Sequence, residues 1–92
     1  MLKIFNDLEP FFKDRLRRIN IREYARICKI SPPSASKLLA ELEKEGLLIR
    51  EKEYNYIFYK ANLKSSLFRK LLKVYTTEFV NQRNFNKKEK LK

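Results

Sequence analysis

The stretch "ISPPSASKLLAELEKEGLL", residues 30–48, decides the fold. It sets two consecutive prolines and three serines at the entrance of a run of strong helix formers, and it closes on Gly46, the single glycine of the chain. Ser31 suits a helix cap because its side-chain oxygen can accept from a backbone N–H that the helix leaves free, and prolines at the first helical positions lose nothing by lacking that donor. Since Pro33 disfavours the helical region for the residue before it, Pro32 is an alternative cap. Ala35, Leu38, Leu39 and Leu42 then share one apolar face, with Ser34, Lys37, Glu41 and Lys44 pointing away from it. Gly46 falls where a left-handed C-terminal cap is required. The result is a helix with a slim, uncharged entrance and an acidic second half carrying Glu41, Glu43 and Glu45.

Upstream, "INIREYARICKI" (19–30) carries a second start signal. Asn20 can cap, Glu23 three residues on completes a capping box, and Ile19 can staple to Tyr24, which predicts a helix over 21–28. Earlier still, Leu2, Phe5, Leu8, Phe12 and Leu16 recur at spacings of three and four, an amphipathic helix pattern in which Pro10 predicts a break near 8–10. Downstream, "LLIREKEYNYIFYKA" (47–61) alternates around a polar tip: Ile57, Tyr59 and Ala61 against Tyr56, Phe58 and Lys60. This predicts a β-hairpin turning at 52–55, with Asn55 best suited to positive φ. Asn62 is then a candidate cap for a helix of more than fifteen residues, its stripe formed by Leu63, Leu67, Leu71, Tyr75 and Phe79 and widened by Phe68, Leu72 and Val80. Residues 1–84 are expected to form one domain, and the basic end 85–92 a disordered tail.

Composition narrows the function. Ninety-two residues allow one small domain that buries only about 60% of its unfolded surface, so a partner chain would help its stability. The net charge is +11, which favours polyanionic partners. Residues 63–92 hold nine basic and two acidic side chains. Cys28 is the only cysteine and histidine is absent, so an internal disulfide is impossible and a cysteine-histidine metal site cannot form. Cys28 reads as a small apolar residue. Neither a secretory leader nor an 18-residue apolar segment is present, which predicts a cytoplasmic protein with no membrane partner.

Helix, helix, a short connection, helix and hairpin is the order of a winged helix-turn-helix, a mainly α fold with a small β wing and flanking N- and C-terminal helices. Residues 19–61 resemble the DNA-binding domain of bacterial and archaeal transcriptional regulators of the MarR and ArsR type: "INIREYARICKIS" matches the first helix and turn, "SPPSASKLLAELEKEGLL" the recognition helix, and "IREKEYNYIFYKA" the wing. The pattern is also similar to winged-helix segments that precede small nucleotidyltransferase domains in archaeal proteins. No such catalytic domain follows in this sequence. The resemblance implies double-stranded DNA as partner, a homodimer, and a nucleoid-associated place in the cytoplasm.

A recognition helix presents its N-terminal residues to base edges, where bulky or acidic side chains would obstruct or repel. Pro33, Ser34, Ser36 and Lys37 are therefore the base-edge candidates, Lys37 first among them. Arg22, Arg26, Ser31, Arg50 and Lys52 are the phosphate candidates. Lys29 stands where the family commonly has glycine, and Glu51 and Glu53 sit among the basic residues of the wing. Tyr54 and Tyr56 could stack or contact a sugar-phosphate backbone, with packing across the hairpin as their expected use. The stripe Leu63, Leu67, Phe68, Leu71, Leu72, Tyr75 and Phe79 is the expected dimer interface, with packing on the chain's own domain as its alternative. Two other classes compete: a protein-interaction module that docks a separately encoded partner, and a sequence-neutral DNA coat. An enzyme is the weakest reading, since histidine and a glycine-rich phosphate loop are both missing, and no metal or cofactor is implied.

Overall fold

The structure, a computed structural model, describes residues 3–77. Four helices surround a small antiparallel sheet: α1 (Lys3–Lys13), β1 (Ile19–Asn20), α2 (Ile21–Cys28), α3 (Pro32–Lys44), β2 (Leu48–Glu53), β3 (Tyr56–Ala61) and α4 (Ser66–Tyr75). The sheet order is β1-β3-β2, so the hairpin is a three-stranded element rather than the two-stranded one expected. The added strand is only two residues long and pairs Ile19 with Tyr59 and Asn20 with Phe58.

The break expected near Pro10 is absent, and α1 runs through it as one helix. Proline removes the donor that would serve the Asn6 carbonyl, but Asn6 is exposed to water. One residue further, the buried Tyr24 hydroxyl donates to the Asp7 carbonyl at 2.6 Å, and the Tyr24 ring stacks on Phe11 at 5.9 Å between centroids. Tyr24 thus braces the turn that the proline weakens. Burial pushes the Tyr24 phenol far above its ordinary value, so it remains a donor at any working pH. Leu16, expected on the α1 stripe, lies past the helix and is 82% exposed.

The core is an aromatic cluster. Phe12 meets Phe68 at 5.4 Å and Tyr75 at 4.9 Å, which docks α4 against α1, and Leu8, Ile19, Ala35, Leu39 and Leu47 fill the rest. Burying each large aromatic side chain contributes about 2–3 kcal/mol. Tyr75 also donates to the Glu9 carboxylate at 3.1 Å. Phe68 and Tyr75, expected at a dimer interface, are therefore part of the chain's own core, because the α1 face opposite them is aromatic too.

Helix ends follow the local chemistry. Asn20 caps α2, accepting from the Glu23 N–H at 2.7 Å, while the Glu23 carboxylate pairs with Arg17 instead of closing a capping box. Ser31 caps α3, with both prolines in the first two helical positions. Gly46, at φ +79°, donates to Glu43 O, and Leu47 donates to Leu42 O, closing α3 with a Schellman cap. The same motif closes α2: Lys29 donates to Arg26 O and Ile30 to Ala25 O. Lys29 takes the left-handed position, at φ 58° and ψ 45°.

Two details downstream depart from expectation. Tyr54, not Asn55, takes positive φ at the hairpin tip, at 56°. Asn62 does not cap α4. Its side-chain amide donates to Gly46 O at 2.8 Å and its Oδ1 accepts from Lys64 N, which leaves Ser65 to cap the helix through Phe68 N. The described helix is ten residues long; Phe79, Val80 and the tail lie outside the described residues.

Candidate nucleic-acid interface

The entrance of α3 is built as a tight cap. Ser31 Oγ accepts from Ser34 N at 3.3 Å and donates to Ser34 Oγ at 2.9 Å, so both serines are held by local capping bonds. Ser34 still has its own hydroxyl proton to donate outward. Pro32, Pro33, Ser34 and Lys37 are exposed, and Ser36 is half-buried. Lys37 has no ion pair among the described residues. With Ser34 it lines a groove of about 690 Å³ between α1, α2 and α3, whose lining also includes Ile27, Ile30 and Leu38. On the α1 side of that groove Lys3 bridges Asp7 at 2.9 Å. The hydrogen bond to Asp7 and the Asp7 charge raise the Lys3 pKa, with a further contribution from Glu41 on α3.

Arg22 and Arg26 lie one turn apart on an exposed side of α2, and Lys29, just past the helix end, is exposed as well. None is ion-paired among the described residues. Cys28 is half-buried in the same groove, and burial pushes its thiol up, away from reactive thiolate character.

The wing sorts its charges by face. Register pairs Arg50 with Tyr59 and Lys52 with Ile57, whereas Glu51 opposes Phe58 and Glu53 opposes Tyr56. Alternation therefore puts the two cations on one face and the two glutamates on the other. The acidic face is neutralised. Arg18, from the loop before β1, reaches Glu53 at 2.9 Å and Glu51 at 3.6 Å, and its guanidinium lies 4.5 Å from the Phe58 ring centroid. Lys60 bridges Glu51 at 2.8 Å. Hydrogen bonding from Lys60, aided by the charges of Lys60 and Arg18, holds the Glu51 carboxyl below the usual carboxylate value. Arg50 and Lys52 remain exposed and unpaired among the described residues.

Arg18 is the residue that sequence reasoning missed. Its partners lie 33 and 35 positions away, and the basic run around it gave no sign of which face it would meet. Of the remaining interface stripe, Leu71 and Leu72 pack partly on the core, while Leu63 and Leu67 are 41% and 47% exposed. Val74, not singled out from sequence, is 45% exposed.

These elements make up a winged helix-turn-helix with flanking helices. Solved structures share the fold. A complex of Staphylococcus aureus MepR with DNA superposes with a TM-score of 0.68 at 17% identity, covering 99% of this chain and 78% of that one. MepR, a transcription regulator of the multidrug efflux pump MepA of that organism, gives 0.67 at 17% identity over 90% of this chain and 60% of its own. A MarR family protein from Bacillus stearothermophilus gives 0.65 at 12% identity over 88% and 58%. The chain spans about 60% of the length of these two regulators. No protein-family model and no curated protein sequence matches it. No described helix is long and apolar enough to cross a membrane.

Proposed function

We propose that this chain is a DNA-binding transcription regulator rather than an enzyme, acting as a homodimer on double-stranded DNA in the cytoplasm. Residues 1–84 are read as its single domain and 85–92 as a basic tail. The observation that carries the reading is the exposed cationic set, unpaired among the described residues, formed by Lys37 on α3, Arg22 and Arg26 on α2, and Arg50 and Lys52 on one face of the wing. Ion pairing has removed the acidic residues of the wing from competition, which leaves Arg50 and Lys52 as the wing cations that a polyanion would neutralise. In this arrangement Pro33, Ser34, Ser36 and Lys37 face base edges, and Ser31 with the four arginine and lysine positions outside α3 contacts phosphates. The acidic second half of α3 leaves the groove.

Dimerisation is assigned to the exposed apolar side formed by Leu67 and Val74 on α4 and by Leu63 in the turn before it, with Leu71 and Leu72 at its margin. A two-fold dimer of winged helices predicts half-sites about one DNA turn apart, ~34 Å.

The test is selection of bound duplexes from a random-sequence pool, repeated with Lys37→Ala. A preferred, pseudo-palindromic site that the variant loses or relaxes supports the reading. Uniform retention of all sequences identifies a sequence-neutral coat, and no retention at low salt removes DNA as the partner. Sedimentation at micromolar concentration separates dimer from monomer.

A further inference from the structure

The wing has two faces, and duplex binding uses only the one that carries Arg50 and Lys52. That face packs on the core at its root through Leu48, Tyr59 and Ala61, all buried. On the outer face, strand alternation places Tyr56 and Phe58 side by side, with ring centroids 6.3 Å apart. Tyr56 nevertheless remains 64% exposed, and Tyr54, at the tip, is 88% exposed. Tyr54 makes no ring contact among the described residues, and it holds φ 56°, a conformation that the neighbouring Asn55 would adopt more readily. Packing within the domain thus leaves both tyrosine rings largely unused.

Charge on the outer face is balanced. Arg18 and Lys60 hold Glu51 and Glu53, and the Arg18 guanidinium lies 4.5 Å from the Phe58 ring centroid. What Phe58 offers outward is therefore a guanidinium plane, which stacks on bases as aromatic rings do. Two cations are matched by two carboxylates there, so a polyanion is drawn by the +11 charge of the whole chain and held by flat surfaces. In a duplex the bases stack on one another, and a ring outside meets only sugar and phosphate. An unpaired base has a free π-face, and stacking it on an aromatic side chain is worth about 1–3 kcal/mol.

We propose that the outer face of the wing is a second nucleic-acid site, for single-stranded DNA or RNA, in which Tyr54 and Tyr56 stack unpaired bases and Arg18 extends the platform. It is a different activity from duplex binding by α3 and does not depend on it.

The intact chain is tested by fluorescence anisotropy on a labelled oligothymidylate, an oligouridylate and a mixed-sequence duplex of equal length, each over a range of salt. Wild type should bind the single strands with a shallower slope of log affinity against log salt than the duplex, because rings rather than cations make the contact. Tyr54→Asn combined with Tyr56→Thr, residues suited to positive φ and to a strand, should weaken single-strand binding about 5-fold or more. The chain has no tryptophan, so Tyr56→Trp installs a single reporter whose emission should be quenched as oligothymidylate saturates the protein. The proposal is overturned if wild type binds neither single strand, if the double variant binds them like wild type, or if the indole emission is unchanged at saturation. Single-strand binding without duplex binding would leave this site standing and remove the duplex reading; duplex binding alone would do the reverse.

Discussion

Lys29→Gly should stabilise the protein, and the turn between α2 and α3 allows the size to be worked out. Lys29 sits at φ 58° and ψ 45°, where an L-residue bearing a Cβ costs about 1–2 kcal/mol relative to glycine. Its side chain is exposed and without an ion pair among the described residues, so little is lost by removing it. The two hydrogen bonds that close the turn are made by backbone atoms and survive the change. Against the relief stands the larger freedom of glycine in the unfolded chain, roughly 0.4–1 kcal/mol. The balance is a gain of about 0.5–1 kcal/mol, which for a small domain raises Tm by roughly 3–6 °C. Lys29→Ala is the control. It removes the same positive charge from a chain of net charge +11 but keeps the Cβ in the left-handed region. Thermal unfolding followed by circular dichroism, with urea titration beside it, compares the three proteins. If the glycine and alanine variants are equally stable, the relief comes from charge and the strain argument is refuted.

Three further outcomes follow from the same structure. Tyr24→Phe removes the hydroxyl that braces α1 at Pro10 and should cost about 1–2 kcal/mol in urea unfolding; equal stability would show that the Asp7 carbonyl needs no second donor. The Glu51 carboxyl is held below its ordinary value of 4.5, so its pairing with Lys60 and Arg18 contributes fully above that pH and is lost as pH falls through the lowered value. Glu51→Gln should flatten that part of the acid-unfolding curve, and a curve as steep as wild type would argue against it. Removing Arg50 and Lys52 together should reduce the slope of log affinity against log salt by about 2 per protomer, and an unchanged slope would take the wing off the phosphates.

Much of this fold was legible because caps and punctuation are local. Asn20, Ser31 and Gly46 each act within four residues of themselves, so α2, the start of α3 and its end could be read from the sequence directly. What escaped depends on distant partners. Strand β1 exists only because Ile19 and Asn20 meet Tyr59 and Phe58 some forty residues on. Asn62 and Ser65 are both competent caps, and the choice between them is made by Gly46, whose carbonyl engages the Asn62 amide. Pro10 was expected to break α1, and it does not because the Asn6 carbonyl it frees is open to water and Tyr24, from a distant helix, braces the neighbouring Asp7 carbonyl. In the candidate site the α3 residues were visible from composition, but the sorting of wing charge by face required the register of the hairpin and the reach of Arg18.

Asn62 has a mechanical consequence. Its amide reaches back to Gly46 O, its backbone N–H to Leu47 O at 3.1 Å, and its own carbonyl accepts from Ser65 at the head of α4. One residue thus stitches the end of α3, the root of the hairpin and the start of α4 into a single joint through three hydrogen bonds. In an assembly joined through α4, the spacing of the two α3 helices would then behave as a caliper, set at the subunit contact and passed on through this joint.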